Sequence, residues 1–382
     1  MDIYAELGLK PAIYGRGFHT VMGGSQLSPR IQAAMEAANR YFVDMHTLLT
    51  RTGELVAELL ECEAAYITPG CAAAMTLGTA AIIAGDDGAR IERLPDTTGM
   101  KRDLLIQATQ RYKYDRAPTV CGAVLREVGD AAGTTRAQLE AALAQPDTAV
   151  MLVPAHLDGQ PGSLPLTEVI AAAHTRGVPV LLDAASQIYP VSRMKGWTKM
   201  GADLVCFGAK YLGAPQSSGI LCGRKDLVSS AAQQGFIGFE RGPHRSIGRP
   251  FKLDRGEIVA AYLALRDWVT TDHETRLAGV QRRAEAAIAR LQGVPGIIAT
   301  SVPDHTYQAP SFGAPLLRVR LEPASGYTIE QLVAALQQDA PAILGIREPN
   351  APTLTFNLST IYEGDEQVIT DRLIALLGTH SV

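Results

Sequence analysis

Apolar residues follow two alternating rhythms along most of this chain. From Ser28-Pro29 the run RIQAAMEAANRYFVDMHTLLTRTGELVAELL repeats them every three to four positions, the spacing of helices, over a length that holds two. Short continuous apolar runs then take over: AAYIT, DLLIQ, AVLREVG, AVMLVPA, VPVLLD, ADLVCFGA and SGILCG. Helical segments stand among them, an alanine-rich one after Gly70 (AAAMTLGTAAIIAG), then TTRAQLEAALA and LTEVIAAAHTRG. Strands that are apolar on both faces and alternate with helices predict a mostly parallel sheet covered on both sides, an α/β architecture. Beyond Pro250 the rhythm changes. A long helical stretch (256–292) leads into strands near GIIATSV and LLRVRLE, a helix at TIEQLVAALQQ, a strand at TLTFNLS and a last helix at DEQVITDRLIALL. This marks a second, smaller α+β domain.

A length of 382 residues suits one large and one smaller domain, and 47% hydrophobic with 19% charged residues suits a soluble globular chain. The formal net charge of -4, with Lys and Arg scattered, offers no electrostatic footing for nucleic acid. No run reaches the ~18 apolar residues of a membrane span, and the start MDIYAELGLKPAIYG lacks a basic n-region, so no membrane partner is expected and cytoplasm is the expected address. The five cysteines are odd in number and without a CxxC pair, which points to neither a disulfide framework nor a metal site. They read as small core residues, Cys71 being set apart by its position.

Three features could meet in one site. Lys210 follows an apolar strand in ADLVCFGAKYLGAPQSSG, among small residues where an ammonium would be partly desolvated and its pKa lowered. Asp183 ends the preceding apolar strand, VPVLLD, 27 residues upstream, at the edge where α/β sheets place ligands. An acid there suits a pyridinium nitrogen, which it keeps protonated. The third feature is TPGCAAA (68–74), a strand-to-helix turn whose small residues would expose backbone N–H groups to a phosphate. Each also has a plainer reading: a lysine facing water, a helix N-cap, a tight turn. His156 and the turn QRYKYDRAP, holding Gln110, Tyr112, Tyr114 and Asp115, follow strands and could reach the same edge. Arg347 offers a fork for a substrate carboxylate, or is a surface arginine. Neither GxGxxG after the first strand nor GxxxxGK[ST] is present, which removes the two commonest nucleotide-binding readings.

In order and composition, the segments TPGCAAAMTLGTAAIIAGDD, VLLDAASQ, DLVCFGAKYLGAPQSSG and IGRPFKLDRGEIV resemble the selenocysteine-synthase-like branch of fold-type-I pyridoxal 5′-phosphate (PLP) enzymes. That branch holds L-seryl-tRNA selenium transferase and D-glucosaminate-6-phosphate ammonia-lyase. The resemblance runs over nearly the whole chain and implies the fold-type-I transferase architecture. It makes Lys210 the Schiff-base lysine, Asp183 the partner of the ring nitrogen, and the amides of Gly70, Cys71 and Ala72 the phosphate site. Ser186 and Gln187 would lie near the ring. Gln110 stands about where lyase-like members carry a histidine over it. The resemblance further implies a homodimer or higher homo-oligomer with shared active sites, in which Gly248 and Arg249 approach the neighbour's phosphate. The segment from His19 and Thr20 to Gly24 would line the substrate entrance, with His156 and Arg347 also toward substrate. The organisation expected is a segment 1–50 packed on the small domain and the dimer partner, a PLP-binding domain over 51–255, and a small domain over 256–382.

The activity expected is that of a lyase acting on an amino acid or amino sugar acid, through an external aldimine and a Cα carbanion to β-elimination with ammonia release. Racemisation or aldol cleavage from the same carbanion, and a non-catalytic PLP-fold regulator, are the alternatives.

Overall fold

The computed structural model describes residues 3–303 and 313–378. Two compact units are present: Leu27–Thr270, and Met1–Gln26 together with Thr271–Val382.

The larger unit is built on a seven-stranded sheet. In spatial order its strands are Ala64–Thr68, Gly219–Gly223, Leu204–Gly208, Val180–Asp183, Thr148–Pro154, Asp103–Gln107 and Val124–Val128. All neighbours are parallel except those of Gly219–Gly223, which runs antiparallel to both of its partners. The four strands from Gly219–Gly223 across to Thr148–Pro154 are buried at every position, as continuous apolar runs require when both faces are covered. One of the covering helices, Gly70–Ala84, is itself buried along almost its whole length. Small residues make this close packing possible: a side chain at Gly78 would come within 3.1–3.4 Å of Leu204, Leu181 and Leu221.

The two helices read from 28–60 are Pro29–Asn39, capped by Ser28, and Met45–Leu60, capped by Asp44. They pack on a third, Arg255–Thr270. The stretch read as one long helical run over 256–292 is thus two helices, the second (His273–Leu291) starting at Asp272, whose carboxylate accepts from the N–H groups of Glu274 and Thr275. Through these contacts the larger unit extends to 27 and 270, beyond the expected limits of 51 and 255.

The smaller unit carries an antiparallel sheet ordered Ile346–Arg347, Thr353–Phe356, Leu316–Leu321, Ile297–Val302. The helices His273–Leu291, Ile329–Leu336 and Asp365–Gly378 enclose its core, centred on Leu317, Val319, Phe356, Leu332 and Leu373. Ala12–Tyr14 joins this unit by pairing in parallel with Ala342–Leu344. The architecture is the α/β arrangement expected, a mostly parallel large sheet with a smaller α+β unit. Among the described residues no helix is long and apolar enough to cross a membrane.

Candidate active site

The site forms where parallel strands of the large sheet end. Val180–Asp183 and Leu204–Gly208 are hydrogen-bonded neighbours, with Asp183 beside Cys206. Lys210 follows two residues after the second strand, in the short 3-10 turn Ala209–Leu212. Adjacent carboxyl ends therefore present an acid and a lysine to one edge, the position at which open α/β sheets bind ligands.

Asp183 is almost fully buried, at 3% exposure, and its carboxylate is well supplied with donors. Oδ1 accepts from the backbone N–H of Ala185 at 3.0 Å and from the Cys71 thiol at 3.3 Å, while Oδ2 accepts from the Tyr112 hydroxyl. Both side-chain donors are held in their protonated forms. The Cys71 thiol is pushed well above its ordinary pKa by its hydrogen bond with Cys206, by burial and by the Asp183 charge; the Tyr112 phenol is pushed up by burial and by Asp183.

Lys210 is half-buried, with Nζ 5.1 Å from the centre of the Tyr211 ring. Burial lowers its pKa, with Cys71 acting weakly the other way. A lysine of this kind is more readily deprotonated and so more nucleophilic than one in water. His156, in the turn after Thr148–Pro154, packs edge-on against Tyr112 at 5.3 Å; burial lowers its pKa, opposed by the charge of Asp183.

Cys71 belongs to the first turn of helix Gly70–Ala84, whose N-cap, Pro69, provides no side-chain hydrogen bond. With no side-chain cap, the leading N–H groups of this helix are suited to an anionic acceptor. Gly70 enters the helix at φ +84°, a left-handed conformation that glycine adopts without strain. Behind this turn, strand Gly219–Gly223 comes so close that a Cβ at Gly219 would lie 2.4 Å from the Gly70 carbonyl carbon and 2.7 Å from the Cys71 nitrogen. Ala72 is exposed at the helix start. An uncapped helix terminus for a phosphate, a desolvated lysine for an aldehyde and a buried carboxylate for a ring nitrogen form a donor set that fits pyridoxal phosphate.

The remaining expected residues are placed as follows. Ser186 and Gln187 are buried in the turn after Asp183, 3.4 Å apart through Oγ and Nε2. Gln110 is fully buried with its amide turned inward, accepting from Gln107 and donating to the Leu157 carbonyl at 3.2 Å each; the side chain that reaches Asp183 from this turn is Tyr112. Gly248 is buried against the Gln234 carbonyl, and Arg249 pairs with Glu240 at 2.6 Å. His19, Thr20 and Arg347 belong to the smaller unit. There His19 Nδ1 lies 2.6 Å from the Tyr14 hydroxyl, Thr20 opens a 3-10 turn, and Arg347 is exposed and paired with Glu330. Of the turn residues expected to be able to reach this edge, Tyr112 meets Asp183, and Cys206, expected as a core residue, meets Cys71. Tyr112 was detectable as the aromatic two residues past Gln110, whereas nothing local distinguishes Cys206.

Residues 119–294 match the class-V aminotransferase family. The chain is 32% identical to 5′-C-glycyluridine monooxygenase-decarboxylase of a Streptomyces species, over 89% of this chain and 83% of that protein. It is 28% identical to D-glucosaminate-6-phosphate ammonia lyase of Salmonella typhimurium, over 97% of each. A solved structure of D-glucosaminate-6-phosphate ammonia-lyase superposes with a TM-score of 0.87 at 27% identity, covering both chains fully.

Proposed function

Because the chain belongs to the selenocysteine-synthase-like branch of fold-type-I enzymes, whose cofactor is pyridoxal 5′-phosphate, we propose that it is an ammonia-lyase for a β-hydroxy amino acid or amino sugar acid. The observation that carries this reading is the pairing of a desolvated Lys210 with a buried, hydrogen-bonded Asp183 at neighbouring strand ends.

When bound, the cofactor supplies an electron sink that makes the hydrogen on the substrate's nitrogen-bearing carbon acidic. The amides of Gly70, Cys71 and Ala72 hold its phosphate, and Lys210 Nζ holds its aldehyde carbon. Asp183 keeps its ring nitrogen protonated, an arrangement stabilised by the Ala185 and Cys71 donors on Oδ1. Lys210 would be the base for the Cα proton, because its lowered pKa leaves more of it unprotonated near neutral pH than an ordinary lysine. The proton so held on Lys210 would pass to the leaving β-hydroxyl, and His156, its pKa lowered by burial, would border the substrate beside Tyr112. Departure of that hydroxyl as water and hydrolysis of the remaining C–N bond release a keto acid and ammonia. Ser186 and Gln187 border the ring. Gln110 is a further candidate beside the cofactor, and Gly248 lies toward the phosphate of a partner subunit in a homodimer. His19, Thr20 and Arg347, which belong to the smaller unit, are further candidates for contact with substrate. The protein works in the cytoplasm.

The relative of 32% identity favours a second reading, decarboxylation of a glycyl-type amino acid with consumption of dioxygen. One screen separates the two. Purified protein loaded with the cofactor is offered D- and L-β-hydroxy amino acids, amino sugar acids and glycyl-nucleosides while ammonia, carbon dioxide and dissolved oxygen are followed together. Ammonia with a keto acid and no oxygen uptake supports the lyase. Oxygen uptake with carbon dioxide and no keto acid refutes it. A band near ~420 nm that disappears in Lys210→Ala is expected in either case.

A further inference from the structure

One buried acid near the site takes no part in the proposed chemistry. Asp115, at 4% exposure, lies in the turn that carries Tyr112, between the 3-10 segments Ala108–Gln110 and Ala117–Cys121. A turn of this kind has no strand or helix ladder to fix the direction of its side chains. Asp115 fixes it instead: Oδ2 accepts from the Tyr112 N–H at 3.2 Å, and the Asp115 N–H donates to the Tyr112 carbonyl at 3.3 Å. Both backbone polar groups of Tyr112 are therefore held by one residue. Asp115 is itself held from the sheet, because Oδ2 also accepts from Arg111 Nε, and the same guanidinium pairs with Glu127 on strand Val124–Val128. The far end of the turn is tied to helix Gly70–Ala84, where the Thr76 hydroxyl donates to the Ala117 carbonyl at 2.9 Å. A fixed backbone restricts the rotamers open to a side chain. That of Tyr112 runs past His156 and Met75 and places its hydroxyl on Asp183 Oδ2.

We propose that Asp115 is a positioning residue: by holding both backbone groups of Tyr112 it aims the phenol at Asp183, and so sets how strongly that carboxylate attracts the ring nitrogen of pyridoxal phosphate. This rests on the assignment of Asp183 as the ring-nitrogen partner. A carboxylate offers about four lone-pair sites, so the Tyr112 hydroxyl and a ring nitrogen can be accepted together. A hydroxyl donated to a carboxylate favours its charged form and lowers its basicity. Without that donor Asp183 would be the more basic, and the charge balance at the ring would change.

The test follows the absorbance of protein loaded with pyridoxal phosphate as a function of pH, because the midpoint of that titration responds to charge around the ring. Tyr112→Phe, which keeps the aromatic ring against His156, should move the midpoint by roughly 0.5–1 pH unit, the scale of one perturbed charge interaction. Asp115→Ala should move it in the same direction. In the Tyr112→Phe background Asp115→Ala should add nothing, because the path from Asp115 to Asp183 runs through the missing hydroxyl. A shift from Asp115→Ala that is as large in that background as in wild type, or no shift in either, overturns the positioning role. An Asp183→Asn protein with the wild-type midpoint overturns instead the assignment of Asp183 to the ring nitrogen, which separates the two failures. Should Asp115→Ala not fold, Asp115→Glu gives the same comparison: it keeps a charge for Arg111 but carries its carboxylate one methylene away from the Tyr112 N–H.

Discussion

Replacing Gly219 by alanine tests whether the turn at Gly70–Ala72 is the phosphate cradle. The added methyl would sit 2.4 Å from the Gly70 carbonyl carbon and 2.7 Å from both the Gly70 oxygen and the Cys71 nitrogen, all backbone atoms without rotamers to change. Restoring ordinary contact at 3.4 Å demands that the Gly70–Cys71 peptide and the strand separate by about 1 Å. Overpacking of this kind costs about 1–3 kcal/mol in stability. The displaced peptide carries the Cys71 amide, so losing one charge-assisted hydrogen bond should also weaken pyridoxal phosphate about 10- to 100-fold. Gly78→Ala, further along the same helix, is the control: the atoms nearest its methyl are the ends of Leu204, Leu181 and Leu221 at 3.1–3.4 Å. It should lower the melting temperature but leave cofactor affinity as it was. Thermal unfolding with and without saturating cofactor, together with an absorbance titration, separates the two effects. Gly219→Ala protein that melts lower yet binds pyridoxal phosphate as wild type does would refute the cradle.

Two further outcomes follow from the same geometry. Burial depresses the Lys210 pKa below its ordinary 10.5, so the unfolded chain holds that proton more tightly and stability rises with pH between the lowered value and 10.5. Cofactor-free wild type should therefore melt below Lys210→Met at about pH 7, with the gap narrowing toward about pH 10; a gap that widens contradicts a desolvated lysine. Arg347→Met should raise KM about 10- to 100-fold and leave cofactor uptake intact, the loss expected for one carboxylate fork. Steady-state kinetics on the substrate found in the screen will decide, and an unchanged KM removes Arg347 from the substrate site.

Local pattern determined a great deal about this protein. The central strands of the large sheet are readable from sequence because strands covered on both faces are continuous apolar runs and need no knowledge of their partners. Lys210 and Asp183 were identifiable because each ends such a run, and strand ends of parallel sheets converge on one edge. The helix caps at Ser28 and Asp44 obey equally local rules.

Tertiary structure alone decided what depends on pairings distant in sequence. The antiparallel direction of Gly219–Gly223 is invisible in its composition, since a fully buried strand has the same apolar content in either direction. Ala12–Tyr14 had no legible strand signal because its partner, Ala342–Leu344, lies some 330 residues away. The helix Arg255–Thr270 joined the larger unit through contacts with helices at the other end of the chain, which periodicity cannot register. The same holds within the site. Which member of the turn QRYKYDRAP reaches Asp183 depends on the direction the backbone takes after Gln107: it turns Gln110 inward to Leu157 and sends Tyr112 to the carboxylate. Residue type and spacing establish which chemistry is available, but only the folded backbone sets the direction in which each side chain delivers it.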